Sequence, residues 1–113
     1  MTRAQDLAKL ETLAQLALDH RLTALRTAAD DRSRSQMQIG ALDRSAEPAD
    51  LPPVAAGLVA LRYRLWADQR RTELNTVLAR QTADWLEARD AARLAFGRLD
   101  ALRGVARRLA DRR

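Results

Sequence analysis

The sequence contains no cysteine, one histidine, four glycines and three prolines. The missing cysteine excludes disulfides and thiolate metal centres. Strand formers are scarce, with one Phe, one Tyr and one Ile, so the alternating β-branched and aromatic pattern of a sheet protein is not there. No apolar run approaches the roughly 20 residues of a membrane-spanning helix. The N-terminal stretch MTRAQDLAKLETLAQLALDHR has no uninterrupted apolar core and does not read as a signal peptide. No HExxH, Gly-rich phosphate loop or paired-carboxylate arrangement occurs. His20 stands beside Asp19, but adjacent helical residues do not share a face, and no nucleophile or second base is in reach by sequence. These absences predict a soluble, cytoplasmic chain that is not an enzyme, with no metal, cofactor or small-molecule substrate.

What remains is Ala, Leu, Arg, Asp and Gln, a composition that favours helix. The net charge is +5, and its distribution says more than its size. Residues 89–113 hold eight arginines against three aspartates, a surplus equal to the whole net charge. Nineteen of the twenty basic residues are Arg, a bias that either forked hydrogen bonding or genomic base composition produces.

Periodicity organises the chain as an all-α, antiparallel two-helix coiled-coil hairpin with a longer C-terminal helix. Residues 1–113 form a single domain: helix one over about 3–44, a turn over about 45–53 and helix two over about 54–111. Thr2 followed by Gln5 has the form of a capping box. Leu7, Leu10, Ala14, Leu18, Leu22, Leu25 and Ala29 then share one helix face. That face weakens through DDRSRSQMQIG and resumes with Met37, Ile39 and Leu42. Gly40 either ends the helix early or is tolerated inside it. SAEPADLPP is the one strong break, because Pro48, Pro52 and Pro53 disfavour helix before them and Asp50 can cap the second helix.

Helix two carries the clearest pattern. Leu74, Leu78, Gln81, Trp85, Ala88, Ala92, Ala95, Leu99, Leu102, Ala106 and Leu109 alternate steps of four and three, a heptad seam. Gln81 reads as a register-setting polar residue on that seam and Trp85 as core. Upstream, Val54, Leu58, Leu61 and Leu65 form a second seam that is out of phase with Leu74. Such a slip either changes the supercoil locally or marks a surface re-aimed towards a partner. Tyr63, Trp66 and Arg70 share a stripe beside it, a composition typical of interface anchors; packing of Trp66 over the edge of helix one is the alternative.

By rise per residue the two helices are roughly 60 and 85 Å long. Counting back from the turn sets the start of helix one near residue 96, so residues from about 97 overhang without an intramolecular partner. The overhang RLDALRGVARRLADRR combines an apolar seam with Arg98, Arg103, Arg107, Arg108, Arg112 and Arg113. The pairs Arg103/Arg107 and Arg108/Arg112 are like charges at i,i+4, each costing a few tenths of a kcal/mol. Gly97 and Gly104 cost about 1 kcal/mol each relative to Ala. A weak, positively charged helix with an apolar seam reads as a surface for docking on an acidic partner; a solvated terminus, helped by cations near the C-terminal dipole, is the alternative. Nucleic acid is disfavoured, because there is no helix-turn-helix spacing, no zinc ligand set and no RNP-like aromatic pair. In a basic-region zipper the basic segment precedes the heptads, whereas here they coincide.

The stretch YRLWADQRRTELNTVLARQTADWLEARDAARLAFGRLDALRGVARRLADRR resembles the C-terminal helix of the FliJ-like flagellar export proteins and their YscO-like type III secretion relatives. The resemblance rests on the Tyr near the start of helix two, QRR with a Leu seam behind it, W-x-x-A-R-D-A-A-R, and the closing L-D-A-L-R…R-R. It covers helix two, and helix one by architecture alone. It implies a coiled-coil component of a protein-export apparatus, cytoplasmic and peripheral to the membrane-embedded machinery. Such a protein docks its termini on a hexameric export ATPase and contacts the cytoplasmic domain of the export gate, with export chaperones as further partners. Arg98, Arg103, Arg107, Arg108, Arg112 and Arg113 would then face the ATPase ring, and Tyr63, Trp66 and Arg70 the gate. The alternative is a basic coiled coil that binds nucleic acid or scaffolds an assembly. Under either reading a two-helix hairpin buries little apolar surface, and self-association is expected.

Overall fold

The computed structural model describes residues 2–44 and 52–112. They form two long helices packed as a helical hairpin, α1 (Arg3–Leu42, 40 residues) and α2 (Pro53–Asp111, 59 residues), with no strand among the described residues. Both helix starts are explained by sequence. Thr2 and Gln5 exchange bonds as a capping box: the Gln5 amide donates to Thr2 Oγ1 at 3.2 Å and the Thr2 amide to Gln5 Oε1 at 3.1 Å. α2 begins on Pro53, whose missing amide proton is no loss in a first turn. Gly40 lies inside α1, so it is tolerated. The proposed cap Asp50 and the break residue Pro48 lie outside the described residues.

The chain divides into two compact units, Met1–Ala29 with Asp84–Arg113, and Asp30–Ala83. In the first, Leu18, Ala95 and Leu99 form the core, with Ala14 packed against them. Leu99 is its best-buried side chain, at 1% exposure. In the second, Leu42, Ala67 and Leu74 form the core, with Ile39 and Tyr63 against it.

The α2 seam is real along its whole length, since each of its positions from Leu74 to Leu109 is buried or half-buried. The expected face of α1 holds at Leu7, Ala14, Leu18, Leu25, Ala29, Ile39 and Leu42, whereas Leu10, Leu22 and Met37 are exposed. The polar stretch of α1 does not interrupt the packing. Ser35 is buried and Arg32 half-buried, with Arg32 Nε donating to Thr82 Oγ1 at 3.1 Å. Gln81 is half-buried in the same unit, its Oε1 having no hydrogen-bond partner among the described residues. This is a polar layer of the kind that fixes helix register at a cost in stability.

Two expectations are corrected. The first concerns phase upstream of Leu74. Tyr63 and Ala67 carry the inward face in step with Leu74, while Val54, Leu58, Leu61 and Leu65 are exposed. Tyr63 and Ala67, not these leucines, face α1, so the packed phase continues upstream of Leu74 and the leucine stripe is a separate exposed surface, as the re-aimed alternative has it. The second concerns the overhang from residue 97. Leu99 packs on Leu18, and Arg103 bonds Glu11 and Gln15, so that part of α2 has partners on α1. Counting residues back from the break assumed that the two helices end level there, whereas Leu42 of α1 packs with Tyr63, Ala67 and Leu74 of α2.

Candidate functional site: the arginine-rich helix ends

The first turns of α1 and the last turns of α2 belong to one unit, and between them lies an open groove of ≈ 550 Å³. Leu7, Leu10, Val105 and Leu109 supply apolar surface to it, and Arg3, Asp6, Arg108 and Arg112 add charge. The geometry comes from helix periodicity. Val105, Arg108, Leu109 and Arg112 are three and four apart, so one strip of α2 alternates apolar and cationic groups. Arg3, Asp6, Leu7 and Leu10 repeat the arrangement on α1. By charge count this unit carries twelve basic and eight acidic residues, +4 of the chain's +5.

The sequence-predicted arginines divide by environment. Arg103 is engaged: its Nε donates to Glu11 Oε1 and its Nη2 to Gln15 Oε1, both at 3.1 Å. Arg108 turns back along its own helix, Nε to the Gly104 carbonyl at 3.4 Å. Arg98 lines a small depression with Arg21 and the alanines between the helices. Arg107 and Arg112 have no ion-pair partner among the described residues. Arg113 lies outside the described residues. Arg3, Asp6, Leu7 and Leu10 on α1, and Val105 on α2, are the groove residues that sequence reasoning did not assign to the site. For the α1 residues the signal was the α2 seam itself, since a seam unbroken to Leu109 is as well explained by α1 lying opposite it as by a partner.

Tyr63, Trp66 and Arg70 lie in the other unit. Tyr63 is half-buried, and its hydroxyl donates towards the carbonyls of Leu42 and Arg44, each at 3.3 Å. It thereby offers its one proton to carbonyls at and just past the C-terminus of α1, where the helix leaves acceptors unpaired. Trp66 is exposed and leans on Tyr63, with ring centroids 5.8 Å apart and planes at 45°. Arg70 forms an exposed pair with Glu73 at 3.2 Å. Beside them Arg71 bridges Asp43 at 2.7 Å and Asp68 at 2.9 Å, linking α1 to α2. Trp66 and Arg70 are therefore the accessible members of the stripe, whereas Tyr63 is mainly structural.

The half-buried Trp85 carries the Arg89 guanidinium over its ring at 5.4 Å, a cation–π contact. No group of three or more His, Cys, Asp or Glu side chains able to hold a metal occurs among the described residues. No described helix is long and apolar enough to cross a membrane. The arrangement can bind an anionic, partly apolar surface, with charge around an apolar floor. Comparison with family models, with curated proteins and with solved structures finds no match to the chain.

Proposed function

We propose that this chain is a non-enzymatic, FliJ-like component of a flagellar or type III protein-export apparatus. In this reading it is an antiparallel two-helix coiled coil that sits in the cytoplasm beside the export machinery and acts by binding. The observation that carries the proposal is the groove at the helix ends, where Arg3, Arg108 and Arg112 surround Leu7, Leu10, Val105 and Leu109. An acidic surface with an apolar ridge on a hexameric export ATPase is the complement of that groove. Arg98, Arg107 and Arg113 extend the positive field around it. Trp66 and Arg70, with the ring of Tyr63 behind them, form a second contact for the cytoplasmic domain of the export gate or for export chaperones.

Deleting residues 97–113 would remove Leu99 and unravel the core of that unit. Charge reversal at Arg107→Glu with Arg112→Glu leaves that core and the Arg103 bonds in place. Titrating the intact chain into its cognate export ATPase should raise the hydrolysis rate, and the double variant should lose the effect while staying folded. An intact chain that neither binds nor stimulates the ATPase removes the reading. The second reading is a basic coiled coil that binds nucleic acid, favoured by the +4 surplus of the same unit. It requires retention on duplex or single strands that falls steeply with added salt.

A further inference from the structure

From the exposed leucine stripe near the start of α2, we infer that the chain pairs with a second copy of itself. The stripe comprises Val54, Leu58, Leu61 and Leu65, all of them exposed, from 49% at Leu61 to 79% at Val54. It occupies the face of α2 that α1 does not cover, because Tyr63, Ala67 and Leu74 take the inward positions. This inference is independent of the export reading.

Two observations select a second copy as the occupant. The spacing of four, three and four is that of a coiled-coil seam, and it reads the same in either direction. Turned end for end, the stripe is its own complement: Val54 meets Leu65 and Leu58 meets Leu61, the isologous match of a two-fold dimer. Charge agrees with that alignment. Between residues 52 and 67 the only charged groups are Arg62 and Arg64. End-for-end pairing sets both beside Ala55 and Gly57 of the second copy, so like charges do not meet across the interface.

Sedimentation equilibrium of the full chain, without any partner present, tests the inference. The intact chain should move from monomer to dimer between micromolar and millimolar concentrations. Leu61→Asp with Leu65→Asp should stay monomeric at every concentration while keeping the helical circular dichroism of the parent. The absence of native cysteine allows a second readout. Oxidising a mixture of Leu58→Cys and Leu61→Cys chains should yield the mixed disulfide, and a Leu13→Cys chain should not cross-link. An intact chain monomeric throughout, its stripe then belonging to another protein, overturns the proposal. So does a double aspartate variant that dimerises like the parent, or a Leu13→Cys chain that cross-links equally.

Discussion

Leu99→Ala separates a packed C-terminal half of α2 from a free one. Leu99 is 1% exposed and packs with Leu18 and Ala95, with Ala14 against the cluster. Truncation removes buried methyl and methylene groups and leaves a void that neighbours fill only in part. Core Leu→Ala changes cost about 2–5 kcal/mol, less where the site can collapse. Two helices wall this site from two sides only, and two of its neighbours are alanines, so the cost belongs at the lower end, about 2–3 kcal/mol. That is roughly a 30- to 150-fold shift in the folding equilibrium. Leu94→Ala is the matched control, the same chemistry five residues earlier at 57% exposure, and its cost should stay within about 0.5 kcal/mol. Urea unfolding followed by helical circular dichroism reports both. The variants must be compared at one protein concentration, since self-association makes the midpoint concentration-dependent, and with an unchanged m-value. If the two substitutions prove indistinguishable, residues 97–111 are not packed on α1, and the groove at the helix ends does not exist.

Gly97→Ala should stabilise the chain by about 1 kcal/mol, because a Cβ there meets nothing within 4 Å and the backbone is ordinary helix; thermal unfolding would show a higher midpoint. Gln81→Leu should also stabilise, by about 1 kcal/mol or more, since it replaces a buried acceptor without a hydrogen bond by apolar surface on the seam. If that polar layer fixes register, the same variant should broaden the amide spectrum by admitting alternative alignments. Tyr63→Phe should cost about 1 kcal/mol, as it withdraws the hydroxyl from the Leu42 and Arg44 carbonyls; no change in urea midpoint would show those bonds to be replaced by water at no cost.

The helices were legible in the sequence because periodicity is local. Every seam position from Leu74 to Leu109 faces inward, and the Thr2–Gln5 capping box forms with the expected bonds. What was not legible depended on which faces pair. Leucines at heptad spacing look like core by hydrophobicity, yet at Val54, Leu58, Leu61 and Leu65 the inward positions belong to smaller residues and Tyr63. Alanines carry a weak periodic signal of their own, so their stripe is found only by extending the downstream phase backwards. Conversely, Arg32 and Ser35 looked like a gap in α1 but lie in the packed layer, Arg32 bonding Thr82 across it. The arginine-rich end was legible as composition. Its partners were not, because assigning Arg103 to Glu11 and Gln15 requires the relative register of two helices.

That register bears on what the arginines can do. A free basic tail could fold onto any acidic surface, and its binding would depend on charge count more than on position. Here Arg103 is held by Glu11 and Gln15, and Leu99 is anchored in the core. The neighbouring Arg108 and Arg112 are therefore carried on a fixed helix at three- and four-residue intervals alongside Leu109 and Val105. A fixed array loses less conformational entropy on binding than a disordered one and discriminates by geometry as well as by charge. Moving the same charges to other exposed positions of the unit, at constant net charge, should therefore weaken a protein partner's binding. Nucleic-acid binding driven by counterion release should survive the move, since it depends on the number of phosphates neutralised. The charge-relocated variant thus divides the two functional readings on grounds that net charge alone cannot.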